Sequence, residues 1–215
     1  MGIAVCASCK RRPAAAERDT SVLARKPSST PGARSTLRDG DLVFQESTSG
    51  QSEMVRVLTG SRWTHMGVVF QEPAGPIVLE AVSPVRKTPL ERWIDRGRRR
   101  HYVVKRLRDA DTRLPPEVIV ELRKLGATWL GRPYDARFRW DDQSLYCSEL
   151  AYKLFERAAG VRLGKLERAA DMHLDDERVQ RALRKRFADA RFDPAETVVT
   201  PDSIFNDDQL VEVEP

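Results

Sequence analysis

The chain has 215 residues, 40% of them hydrophobic and 32% charged, a balance that fits a soluble globular protein able to bury a core. No run approaches the roughly 18 consecutive apolar residues of a membrane helix. The net charge is +5, and its densest clusters, "RGRRRH" (96–101) and "RALRKRF" (181–187), lack interleaved aromatics and any nucleic-acid motif. They read as solvated faces, with an anionic envelope surface as the alternative partner and no nucleic acid expected.

Residues 1–38 are rich in Ala, Arg, Ser and Pro without periodicity and read as a tail, with the folded domain expected over 39–215. Cys6 and Cys9 form one CxxC with no second pair and no nearby histidine, so neither a zinc site nor a disulfide framework is expected. "MGIAVCASCKRR" is too short for a signal peptide. "VCASC" could instead be the end of an export segment that begins upstream. Cys9 would then be a lipidation site and the protein would belong to the envelope or periplasm; otherwise a cytoplasmic location is expected.

Order should begin at "RDGDLVF", where Leu42–Phe44 follow an Asp-Gly turn signal as a short strand. "SEMVRVLTG" (52–60) predicts a helix with Met54, Val55 and Leu58 on one face and Gly60 as its stop. "HMGVVF" (65–70) and "IVLEAV" (77–82) are β-branched runs joined by "QEPAGP", the pattern of a hairpin. "TPLERWIDRG" (88–97) predicts a helix with Thr88 as N-cap, Pro89 first, Glu91 closing a capping box and Gly97 past the end. "HYVVKRL" (101–107) is a further strand. "PPEVIVELRKLGATWLG" (115–131) is an amphipathic helix with Val118, Leu122, Leu125 and Trp129 on one side. After a polar loop, Leu150, Ala151, Leu154, Phe155 and Ala158 make the stripe of a helix that starts near Cys147. Residues 161–190 are charged and read as largely helical, and "ETVVTPDSIF" (196–205) as a strand and a short turn that end the fold. The pattern is α+β, with an antiparallel sheet.

Cys147 at a helix start raises a chemical question. A nucleophilic cysteine works as its thiolate, which a helix N-terminus and a nearby histidine both favour. His173 sits in the charged segment "DMHLDDE" and reads as surface, and His101 as exposed after an arginine run. His65 fits better. If the hairpin turns midway between Pro73 and Ala74, His65 and Glu80 lie diagonally on one face, within side-chain reach. A one-residue slip would separate them. Glu80 is the one charge in an apolar strand and needs a partner if buried. Cys147, His65 and Glu80 would then be nucleophile, base and orienter. Taken singly, a helix-start cysteine is more often a packing residue.

Together "GDLVF", "SRWTHMGVVF", "VLEAVSPVRKTPLERW", "YVVKRL", "GRPYDARFRWDDQSLYCSEL" and "TVVTPDSIF" resemble the YiiX-like branch of the permuted NlpC-type, papain-like cysteine peptidases, in order from Asp39 to Phe205. The resemblance implies a circularly permuted papain-like α+β fold, histidine first and cysteine last, with the nucleophile helix packed against the antiparallel sheet. It implies His65 as base, Glu80 as the third polar residue, Cys147 as nucleophile, and Tyr134 in "GRPYD" as a residue that orients substrate or helps stabilise the oxyanion. The activity implied is a cysteine hydrolase cleaving amide bonds of small or cell-wall-type peptides through a thioacyl-enzyme. A thiol acyltransferase or thioesterase on lipids, or a non-catalytic ligand-binding relative, are the alternatives. No cofactor is expected, and neither a metal-ligand cluster nor a phosphate-binding glycine loop is visible in the sequence.

Overall fold

In a computed structural model, Met1 and residues 36–172, 174, 177–186 and 193–214 are described. Six strands make one antiparallel sheet in the order β4-β3-β2-β1-β5-β8: β1 (Leu42–Ser47), β2 (His65–Glu72), β3 (Gly75–Glu80), β4 (Arg86–Pro89), β5 (Gly97–Leu107) and β8 (Leu210–Val213). A two-stranded pair, β6 (Glu167–Arg168) with β7 (Thr197–Val198), lies outside it.

Alternation along the strands feeds two cores, as the pleat requires. Leu42, Phe44, Met66, Val68, Phe70 and Leu79 join the larger core. There they meet α4 (Pro116–Trp129) and α5 (Cys147–Ala159), through Leu122, Trp129, Leu150, Leu154 and Phe155. Val43, Val69, Val78 and Val104 face the other way, onto Leu90, Trp93 and Ile94 of α2 (Leu90–Asp95). Leu37, counted with the tail by composition, is buried in this smaller core. The rest of that tail, with Cys6 and Cys9, lies outside the described residues, as does His173.

The helix 50–59 (α1) ends where Gly60 adopts the left-handed conformation and its N–H reaches Arg56 O at 2.8 Å. The hairpin register puts Val68 opposite Leu79 and Glu72 opposite Gly75, centred between Pro73 and Ala74. Gly67 has a specific reason in this ladder: a Cβ there would sit 2.8 Å from Leu79 O and against Val78.

Three expectations need correction. Thr88 is not a helix N-cap: it lies in β4, paired with Val78, and the helix begins two residues later behind Pro89. Glu91 closes no capping box and instead pairs with Arg100, while Gly97 opens β5 rather than ending a helix. The stretch from 161 to 171 is not helical; it holds β6 and one 3-10 turn, and helix returns at α6 (Glu177–Arg186). The fold also does not end at Phe205, because β8 adds an edge strand against β5. Among the described residues, no helix is long and apolar enough to cross a membrane.

Candidate active site

His65 is the first residue of β2, Glu80 the last of β3 and Cys147 the first of α5, and all three are buried. His65 Nε2 and Glu80 Oε2 are 2.6 Å apart. With Nε2 engaged by the carboxylate, the other ring nitrogen is left for the neighbouring Cys147, whose thiol favours the charged imidazole. The ring stacks on Trp93, centroids 6.0 Å apart.

Burial disfavours the imidazolium, but the hydrogen bonds to Cys147 and Glu80 outweigh it and push His65 up to about 9. Glu80 is fully enclosed. Burial alone would raise its pKa, yet His65, Thr88 and Arg96 favour the carboxylate and hold it down to about 2. Its Oε1 accepts from Thr88 Oγ1 at 2.6 Å and from Arg96 Nη2, with Arg86 Nε 3.7 Å away. The carboxylate is therefore ionised, satisfied, and positioned to keep the imidazole charged and oriented.

Thr88, Arg96 and Arg86 were not expected here. Thr88 carried a stronger helix-cap signal, Arg96 was one arginine in a run, and nothing local marks either as a partner of residue 80. The one available signal was Glu80 itself, since a buried carboxylate on a strand needs donors from neighbouring strands. His101 is elsewhere, exposed, stacked on Trp63 and 3.3 Å from Arg62 Nη2 through Nδ1.

Cys147 sits at the α5 N-terminus, where backbone N–H groups are unspent by the helix. The preceding turn is fixed from several sides. Glu149 accepts from Tyr146 N at 3.2 Å and from Lys153 Nζ at 2.7 Å, and burial pushes its carboxyl up to about 8. Tyr146 Oη accepts from Val199 N at 3.1 Å, while Ser148 Oγ donates to Val199 O at 2.8 Å. These bonds tie the nucleophile's turn to the segment after β7.

Two clefts flank the pair. One, a tight cleft of about 30 Å³, adjoins Cys147 and is walled by Val55, Leu58, Phe138, Met172, Val198 and Pro201 among others. The other, about 300 Å³, adjoins His65 and carries Ser47, Thr48, Ser52, Thr64, Ser83 and Arg96. Tyr134 and Val55 line both clefts. Tyr134 forms a parallel bridge with Leu145, two residues before the cysteine.

Residues 36–214 match the family described as permuted papain-like amidase enzymes, YaeF/YiiX, C92 family. The chain is 36% identical over 174 residues to a protein of Escherichia coli (strain K12) called "Uncharacterized protein YiiX", covering 81% of this chain and 84% of that one. A crystal structure described as the metalloprotein yiiX from Escherichia coli O157:H7 superposes with a TM-score of 0.77 at 36% identity, covering 82% of this chain and 96% of that one. The chain belongs to the permuted papain-like amidase family, and the permuted papain-like fold expected from its sequence motifs is the fold it has.

Proposed function

We propose that this member of the permuted papain-like amidases hydrolyses amide bonds with Cys147 as nucleophile, His65 as acid–base and Glu80 as the residue that orients and charges the imidazole. The observation that carries the reading is one buried imidazole that lies 2.6 Å from an ionised, fully buried carboxylate and neighbours the Cys147 thiol at a helix start.

From a thiolate–imidazolium pair, Sγ adds to the amide carbonyl carbon and the carbonyl oxygen becomes an oxyanion. The Cys147 backbone N–H at the helix start supports that charge, and Tyr134, at the junction of both clefts, orients the substrate. Collapse breaks the C–N bond while His65 gives its proton to the departing amine, leaving a thioacyl-enzyme and a neutral imidazole. The imidazole then takes a proton from water as that water adds to the thioester. Collapse releases the acid and restores the thiolate and imidazolium.

Small peptides or cell-wall-type peptides are the substrates that the likeness to papain-like enzymes suggests. A lipid acyl substrate is the second reading, favoured by the apolar wall beside Cys147. The description of the relative as a metalloprotein concerns that protein. Among the described residues here, no group of three or more His, Cys, Asp and Glu side chains is arranged to hold an ion, so no step is routed through a metal.

Cys147→Ala tests the assignment. Its turnover should fall by a factor on the order of 10⁴ or more with the fold intact, and wild type mixed with an activated amide should gain the acyl mass on the Cys147 peptide. Retained turnover in the variant would overturn it.

A further inference from the structure

Lys153 is almost completely buried, yet the mechanism above gives it no task. All three protons of its ammonium are engaged, in three directions. Nζ donates to Glu149 Oε1 at 2.7 Å, to Asp141 O at 2.7 Å and to Asp142 Oδ1 at 3.0 Å, over the face of Trp140. Glu149, itself fully enclosed, reaches back with Oε2 and accepts from the Tyr146 N–H at 3.2 Å. Burial disfavours the Glu149 carboxylate, and the Lys153 hydrogen bond is the largest influence opposing it. Lys153 thereby keeps both Glu149 oxygens as acceptors, one for itself and one for the backbone just before the nucleophile.

Stability does not explain the pair. Two buried charges are costly to desolvate, and a well-packed apolar pair in their place is often neutral or stabilising. An apolar pair cannot, however, supply an acceptor for the Tyr146 N–H. That N–H belongs to the N-cap residue of α5, one peptide before the Cys147 N–H that supports the oxyanion. Asp141 and Asp142 open the run that leads into the helix start, so Lys153 holds its far end while Glu149 holds its near end. An oxyanion donor acts within about 2.7–3.1 Å of the developing charge. A displacement of about 1 Å at a reacting centre can cost on the order of 10²-fold. Acyl transfer therefore demands more of this backbone than folding does.

We propose that Glu149 and Lys153 are positioning residues for hydrolysis at Cys147: the pair fixes the backbone of Tyr146, and through it the Cys147 N–H that receives the oxyanion. The inference rests on the proposed reaction at Cys147 and adds two residues that line neither cleft. It separates two properties of the same thiol. Alkylation by iodoacetamide is a displacement at saturated carbon, forms no oxyanion and reads the thiolate–imidazole pair alone. Acylation by p-nitrophenyl acetate passes through a tetrahedral oxyanion and reads the backbone N–H as well.

Two double variants of the full chain test it. Lys153→Met/Glu149→Leu replaces the pair by apolar side chains. Lys153→Met/Glu149→Gln removes the same charges but leaves an amide oxygen for the Tyr146 N–H. In the first, acylation of Cys147 should fall by roughly thirtyfold or more while alkylation stays within about threefold of wild type. The glutamine variant should recover acylation by about fivefold or more over the leucine variant. Equal acylation in the two variants, or alkylation lost as fully as acylation, would overturn the positioning role and leave hydrolysis at Cys147 in place. A wild-type Cys147 that is alkylated but never acylated would overturn both. Hydrogen exchange on the wild type adds a measurement that needs no variant to fold. The Tyr146 amide should exchange as slowly as amides inside α5, and exchange within the first minutes would overturn the proposal.

Discussion

His65 Nε2 lies 2.6 Å from Glu80 Oε2 although the two residues are not opposite each other in the hairpin. Val68 pairs with Leu79, so Glu80 faces Gly67 and reaches His65 on the diagonal, two residues back along β2. That diagonal, with Thr88 from β4 and Arg96 from beyond α2 closing on Oε1, makes the carboxylate a joint between three neighbouring elements.

Glu80→Gln removes the charge and turns one acceptor into a donor that faces Thr88 and Arg96 or His65. A loss of about 3–5 kcal/mol in stability is expected, the range for breaking a buried ion pair from one side. Turnover should fall by roughly 10²–10⁴ as the imidazole loses its orienter. Urea unfolding and steady-state kinetics on one preparation check both. A variant within about 0.5 kcal/mol of wild type and fully active would remove Glu80 from the account.

The pair also sets a pH dependence of stability. Glu80 is lowered from 4.5 to about 2 on folding, so its contribution is present above pH 4.5 and drains away as pH falls toward 2. His65 is raised from 6.5 to about 9, so its contribution is complete below pH 6.5 and is lost as pH rises through 9. The stability gap between wild type and Glu80→Gln should therefore narrow on both sides of a plateau between pH 4.5 and 6.5. A gap that stays flat from pH 3 to 9 would contradict it.

Thr88 donates to a buried carboxylate, a bond worth about 1.5–3 kcal/mol. Thr88→Val keeps the shape and loses the donor, so it should lower stability by that amount and shift the His65 titration downward in NMR. Thr88→Ser should restore both. If Val and Ser variants behave alike, the hydroxyl has no such role.

Gly67→Ala introduces a methyl 2.8 Å from Leu79 O, which the ladder can accept only by moving the strands that carry His65 and Glu80. The expected cost is about 1–3 kcal/mol, accompanied by reduced kcat. A neutral substitution would show that the hairpin register tolerates more than the packing implies.

The hairpin and its diagonal were legible because strand alternation, a Pro-Ala turn and a lone carboxylate agree on one register. Cys147 at a helix start was legible for the same reason, a local pattern with a local cause. Thr88 was not. "TPLE" has a hydroxyl, a proline and a glutamate at helix-start spacing, and only pairing with Val78 across the sheet overrides that signal. Arg96 could not be told from its neighbours in "RGRRR", because its distinction is that Glu80 lies within its reach. β8 was missed because "LVEV" is four residues with one exposed face, and β5 supplies what makes it a strand. The clefts, assembled from five or more separate segments, have no local signature at all.

The central claim is that Cys147 and His65 form a reactive ion pair. The rate of iodoacetamide alkylation at Cys147, read from its own peptide between pH 4 and 9, tests it most directly in wild type and His65→Ala. Rapid labelling of wild type and much slower labelling of His65→Ala are expected, because the imidazole favours the nucleophilic thiolate. Equally slow labelling of both proteins would contradict the pair and leave Cys147 a packing residue.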